Sequence, residues 1–300
     1  MNHPLRSRLQ LIAAACLFST AGAAIKASHL DGWQIACFRA AIAALVVAVA
    51  LPESRRGWTR RTALVAVSYA ATAILFVQAN KLTTAASTIF IQAASPLFIA
   101  ALAPWLIGER PRRRDVPFMA ALLLGLALFF MGAQDSASTA PDPRLGNVIA
   151  TASSFTAALM MIGLRGLSAP NSLRRAEPGV DDAGSAPAAV LMGNLIAFAV
   201  ALPFALPVHV RLVDAAIIAY VGVFQIGLAY ALLLAGLRRI SALEASLLMF
   251  VEPVLSPLWA WLIQGERPGP WALAGGALIL AATALRTALD REGDPTIAPV

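Results

Sequence analysis

A chain of 300 residues with 59% hydrophobic and 13% charged side chains is not a water-soluble globule, which carries about 25% charge; it reads as an integral membrane protein. The net charge of +7 does not make it a nucleic-acid binder, because the basic residues form short clusters between apolar runs, the pattern of membrane topology. Two cysteines inside apolar runs, Cys16 and Cys37, and three separated histidines point to no disulfide framework and no zinc site, and no cofactor is expected.

A helix needs about 20 largely apolar residues to cross a bilayer. Ten runs meet or approach that length: 9–27, 33–51, 62–79, 84–107, 116–133, 145–167, 187–206, 213–237, 241–263 and 270–289. No strand alternation competes with them, which excludes an outer-membrane barrel. The first run follows Arg6 and Arg8 and contains Ala21-Gly22-Ala23, the outline of a signal peptide. It is read as a helix of the mature chain, because cleavage would leave nine helices and break the repetition described next.

From Lys81 to Ala121 and from Arg238 to Leu278 the chain repeats itself at one offset of 157 residues. Ala85 falls on Ala242, Pro96 on Pro253, and Gly108-Glu109-Arg110-Pro111 on Gly265-Glu266-Arg267-Pro268. With the N-terminus placed inside, the inner segments hold 17 arginines, the outer ones hold five basic residues, and Arg39 lies within a helix. That bias sets both termini in the cytoplasm. Five helices is an odd number, so the second half enters the membrane the other way up. Arg112-Arg113-Arg114 follows the first Gly-Glu-Arg-Pro, where it faces the cytoplasm, and Gly269-Pro270-Trp271 follows the second. The fold expected is an all-α membrane protein of ten transmembrane helices in two inverted five-helix repeats. Residues 1–134 form the first repeat, 135–144 the linker, and 145–290 the second repeat, which carries a Pro- and Gly-containing cytoplasmic loop at 168–186. Residues 291–300 are a polar cytoplasmic tail. The Arg- and Ala-rich composition hints at a bacterium.

One ordered set of short motifs resembles a known family. The set comprises Leu17-Phe18-Ser19 in the first helix, Arg39 early in the second, the two Gly-Glu-Arg motifs, and Ala242-Leu243-Glu244-Ala245-Ser246 followed by Glu252-Pro253-Val254. Together they resemble the drug/metabolite transporter superfamily, EamA-type, over nearly the whole chain, with Phe18 where many members carry Trp. In length and overall character the chain is most similar to the bacterial aromatic amino acid exporters. The resemblance implies a secondary transporter exporting solutes, favouring aromatic and other apolar amino acids, across the bacterial inner membrane. No metal spacing, nucleophile elbow or phosphate loop suggests an enzyme.

Glu252 lies 11 residues past Ser241, about 17 Å along a helix and so near the bilayer centre. A carboxylate there costs about 2.5–3.5 kcal/mol and needs a partner, water or a proton. It reads as a substrate-amine contact or a proton-coupling site, or equally as a structural acid beside the Pro253 kink; its counterpart in the first half is Ser95. Thr84, Thr88, Gln92 and Ser95 share one face of helix four, facing a cavity or bonding another helix. Tyr69, Thr72 and Phe76 give helix three a mixed face, and Gln225 and Tyr230 add polar atoms on helix eight. Phe18, Phe76, Phe90 and Trp259 suit either a pocket wall or packing. Arg39 is an arginine snorkelling or pairing near the outer surface, or a fixed charge for a substrate carboxylate or gate. Pro96, Pro253 and Pro257 bend their helices, the first two at related positions. The small pairs Ala121 with Gly125 and Ala272 with Gly276 suit close helix packing. The partners expected are a small-molecule substrate and the lipid bilayer, with no nucleic acid. The chain is expected to be a monomer or a weak homodimer.

Overall fold

A computed structural model describes residues 3–106, 116–131, 139–168, 185–208, 210–237, 248–249 and 251–292. Its secondary elements are helices, with no strand among the described residues. In chain order they are α1 (His3–Ser19), α2 (Ala21–Ala27), α3 (Gly32–Ala50), α4 (Arg60–Leu82), α5 (Ala85–Gln92), α6 (Ser95–Leu106), α7 (Val116–Met131), α8 (Pro143–Ser168), α9 (Ala186–Ala205) and α10 (Leu212–Tyr220). A π-helical stretch, Val221–Leu228, joins α10 to α11 (Ala229–Leu237); α12 (Val251–Gln264) and α13 (Pro270–Glu292) follow. Among the described residues, seven helical stretches are long and apolar enough to cross a membrane, and Val116–Met131 and Pro270–Leu285 are shorter apolar helices. The first Gly-Glu-Arg-Pro, residues 238–247, most of the 168–186 loop and the end of the tail lie outside the described residues.

Several starts follow from local chemistry. Asp31 and Gln34 form a reciprocal capping box on α3, and the hydroxyls of Thr59, Thr84 and Ser185 accept backbone N–H bonds at the starts of α4, α5 and α9. The interruptions are as informative. The first spanning stretch breaks at Thr20, and helix four breaks at Ala93–Ala94, so α6 opens on Ser95 and Pro96. Pro253 lies in described helix α12, four residues past the helical Met249. At the start of α6 a proline costs little, since its missing N–H would have had no intrahelical partner. The expected bend in helix four is thus a full break placed just before the proline.

The core is built between distant segments. α4 packs on α8 and α9, α3 on α9 and the π-helical stretch, and α1 on α11 and α12; α7 packs on α13 and α5 on α8 and α12. Glycine decides how close two of these contacts come. A Cβ on Gly125 would lie 2.6 Å from Ile279 Cγ1, and one on Gly275 would lie 2.7 Å from the Gly125 carbonyl oxygen, so α7 and α13 meet backbone to backbone. A Cβ on Gly193 would strike the Tyr69 ring at 2.6 Å. The bare backbone of α9 is therefore what seats Tyr69.

Candidate functional site

Tyr69, on α4, is 2% exposed. Its hydroxyl oxygen accepts a 3.0 Å bond from Asn194 Nδ2 of α9, which also donates to Val190 O at 2.9 Å. The Tyr230 ring of α11 tilts over it at 5.4 Å between centroids, and Phe18 of α1 meets Tyr230 edge-on at 5.1 Å. Arg39, on α3, is 3% exposed, and its Nη2 donates to Ala73 O of α4 at 2.8 Å. Its charge lies within electrostatic reach of both tyrosines, and Glu252 of α12 within reach of Tyr230. Five helices thus bring a guanidinium, a carboxylate, two phenols and a phenyl ring to one place.

Neither charge has an ion-pair partner among the described residues. Arg39 does not snorkel; it is buried against a backbone carbonyl. A buried charge is strongly disfavoured unless something compensates it, and one carbonyl uses only one of the five guanidinium donors. The remaining capacity suits an anionic group, and the Glu252 carboxylate suits a cationic one. The rings of Tyr69, Tyr230 and Phe18 form one aromatic group beside Arg39.

Ser19 adjoins this cluster. Its hydroxyl oxygen accepts a 3.0 Å bond from Trp259 Nε1, tying α12 to α1. Gln225 is 4% exposed, and its side-chain oxygen has no hydrogen-bond partner among the described residues. It sits in the π-helical stretch, whose backbone touches α3 at Arg39: a Cβ on Gly222 would lie 3.2 Å from Arg39 O. π-Helical segments are rare and concentrate at functional positions. Phe76 is half-buried and packs against two core clusters. Phe90 lies in the second of these, where it contacts Phe129.

The helix-four residues form a separate system. Thr88 is fully buried and donates to Thr84 O at 3.1 Å. Gln92 Nε2 donates to Ser153 Oγ at 3.4 Å, Ser154 Oγ donates to Gln92 O at 3.4 Å, and Ser153 Oγ donates to Thr72 O at 3.2 Å. Thr72 Oγ1 bonds Thr156 Oγ1 at 2.9 Å. This ladder joins α4, α5 and α8. Ser95 and Pro96 are half-buried at the start of α6, and Pro253 is buried. Asn194 was not singled out by the sequence, although a lone amide in an otherwise apolar helix is a signal of its own.

The model of the EamA-like transporter family matches residues 6–131 and 180–287. A solved structure described only as a crystal structure of protein is similar over 96% of this chain and 98% of its own, with a TM-score of 0.62 and 20% identity. That likeness concerns the fold alone.

Proposed function

The chain belongs to the EamA-like transporter family and is a multi-pass membrane transporter of the drug/metabolite type; from that premise we propose that it exports amino acids, aromatic and other apolar ones above all, from the bacterial cytoplasm. The observation that carries this reading is the central cluster. Arg39 offers donors to an α-carboxylate, Glu252 a carboxylate to an α-ammonium, and Phe18, Tyr69 and Tyr230 an aromatic wall to an apolar side chain. Ser19, Gln225 and Asn194 supply neutral polar atoms around it.

The scaffold proposed is ten transmembrane helices in two inverted repeats, with both termini cytoplasmic, in the inner membrane. The packing supports it. If the second set of five spans is matched to the first, contacts exchange in pairs. The α4·α8 and α4·α9 contacts correspond to those of α1·α11 and of α3 with the π-helical stretch, and α5·α8 corresponds to α1·α12. The contacts α3·α9, α7·α13 and α5·α12 map onto themselves. Such symmetry gives a site between the repeats two equivalent routes out, the basis of alternating access. Glu252, present in only one half, is proposed to couple transport to protons, with Arg39, Pro96 and Pro253 shaping the moving parts.

The test is counterflow of labelled phenylalanine, leucine and other amino acids in liposomes containing the purified protein. Saturable, substrate-dependent exchange is expected, fastest for aromatic and large apolar side chains. Absence of exchange with every amino acid would overturn the substrate class and leave another small metabolite or drug as the cargo. A thermal-stability screen in detergent then identifies that cargo, since a ligand bound to the folded state raises its stability.

A further inference from the structure

α2 continues the first spanning stretch past a one-residue interruption at Thr20, where the backbone keeps near-helical dihedrals of φ −78° and ψ −10°. The interruption has a chemical cause. Ser19 Oγ donates to Cys16 O, and Thr20 Oγ1 to Leu17 O, each at 2.7 Å. Hydroxyls that bond back to carbonyls one turn earlier loosen and bend a helix. Before the break, α1 packs on α11 and α12. Beyond it, on the face opposite the N-terminus, α2 is tied to a different set of elements.

The main tie is a buried ion pair. Lys26 Nζ lies 3.1 Å from Glu266 Oε1, and the two side chains are 4% and 3% exposed. Glu266 belongs to the second Gly-Glu-Arg-Pro, just past α12. Its other oxygen accepts a 2.8 Å bond from the backbone N of Ala85, the first residue of α5, where the helix dipole favours an anion. Lys26 Nζ also donates to Thr139 O. Gln264 Nε2 donates to Ala23 O at 2.9 Å. A Cβ on Gly22 would lie 2.7 Å from Ala85 Cβ, so α2 sits directly on α5. The following residues continue the pattern. Asp214 Oδ1 accepts from Ser28 Oγ at 3.0 Å and from His29 N at 2.8 Å, and Lys81 Nζ donates to Ser28 O at 2.8 Å.

A buried ion pair is a poor device for permanent packing. Desolvating two charges offsets much of their attraction, and apolar side chains of the same shape often hold as well or better. The same pair suits a contact that must break and re-form, because water entering the crevice solvates both charges as they part. We propose that α2 is the gate on the face opposite the N-terminus. It hinges at Thr20, and rupture of the Lys26–Glu266 pair lets the central cluster open to that side. The proposal rests on the transporter reading but not on the identity of the cargo.

The test replaces Cys16 and Cys37 with alanine and adds Ala23→Cys, a single thiol on α2 at a position 1% exposed. A membrane-impermeant maleimide is applied to either face of oriented vesicles without substrate, so the result stands whether or not amino acids are the cargo. Glu266→Gln keeps the shape and leaves Lys26 unpaired; Lys26→Met with Glu266→Gln removes both charges. In the single variant, which strands the Lys26 charge, labelling from the face opposite the N-terminus is expected to accelerate on the order of tenfold, as the closed population falls. Labelling from the other face stays unchanged, and the protein elutes as one species in detergent. In the double variant no charge is stranded, and labelling returns close to the parent rate. A single variant that labels at the parent rate overturns the proposal, as does a double variant that labels as fast as the single one. Acceleration from both faces, or loss of the single species, also overturns it, since that is a loosened fold and not a gate.

Discussion

Two of the polar systems inside the helical body differ in how fully they are satisfied. In the ladder of α4, α5 and α8, Thr72, Gln92, Ser153, Ser154 and Thr156 bond one another or a neighbouring backbone. In the central cluster, Arg39 has one backbone carbonyl, and neither Arg39 nor Glu252 has an ion-pair partner among the described residues. Polar groups that consume one another hold helices together, at about 0.6 kcal/mol per interhelical bond. Charges left with spare capacity in a low-dielectric setting carry a standing cost that a ligand or a proton relieves. The first system reads as adhesive and the second as a site, and this contrast can be tested residue by residue.

The largest effects belong to the charges. Removing one partner of a buried charged contact costs about 2–5 kcal/mol, so Arg39→Met and Glu252→Gln each lower flux at sub-saturating substrate at least roughly 30-fold. Neither variant lowers the melting temperature in detergent, because each removes a charge that lacks an ionic partner among the described residues; a clear loss of stability would instead mark that residue as structural. If Glu252 carries the coupling proton, whatever flux remains in Glu252→Gln no longer responds to pH. Gly193→Ala comes next. Its methyl collides with the Tyr69 ring at 2.6 Å, and overpacking of this kind costs about 1–3 kcal/mol. Thermal unfolding shifts downward, and flux falls as the ring is displaced. Tyr69→Phe is milder: Asn194 keeps its bond to Val190 O and loses only the phenol. A net hydrogen bond is worth about 1 kcal/mol of stability, which predicts a small fall in melting temperature and a small rise in KM as the ring loses its anchor. Gln92→Leu is the smallest, about 0.6 kcal/mol of stability, with flux close to native.

Most of the spans were legible, because hydropathy over about 20 residues is a strong signal and the constant offset between Pro96 and Pro253 needs no structure to see. Among the cluster residues, Arg39 and Glu252 announced themselves as charges in apolar runs. Tyr69, Tyr230 and Phe18 were named on weaker grounds, and only the packing brings them to one place. Single-helix spacing grouped Thr88, Gln92 and Ser95 on one face, but spacing is silent about what that face meets; it meets α8 at Gln92. The break at Thr20 was missed because serine and threonine hydroxyls interrupt a helix without the mark a proline leaves. The π-helical stretch was missed because its sequence, VGVFQIGL, is apolar enough for any helix. The Lys26–Glu266 pair joins residues 240 apart through the fold, a distance no local pattern spans.

One side-by-side experiment tests the contrast most directly. Native protein, Glu252→Gln and Gln92→Leu are reconstituted at equal density, and exchange of labelled phenylalanine is followed across the liposome membrane. The account predicts rapid exchange for the native protein, near-native exchange for Gln92→Leu and at least a roughly 30-fold loss for Glu252→Gln. Equal losses in the two variants, or full activity in Glu252→Gln beside an inactive Gln92→Leu, would contradict it and move the site from the unsatisfied cluster to the ladder.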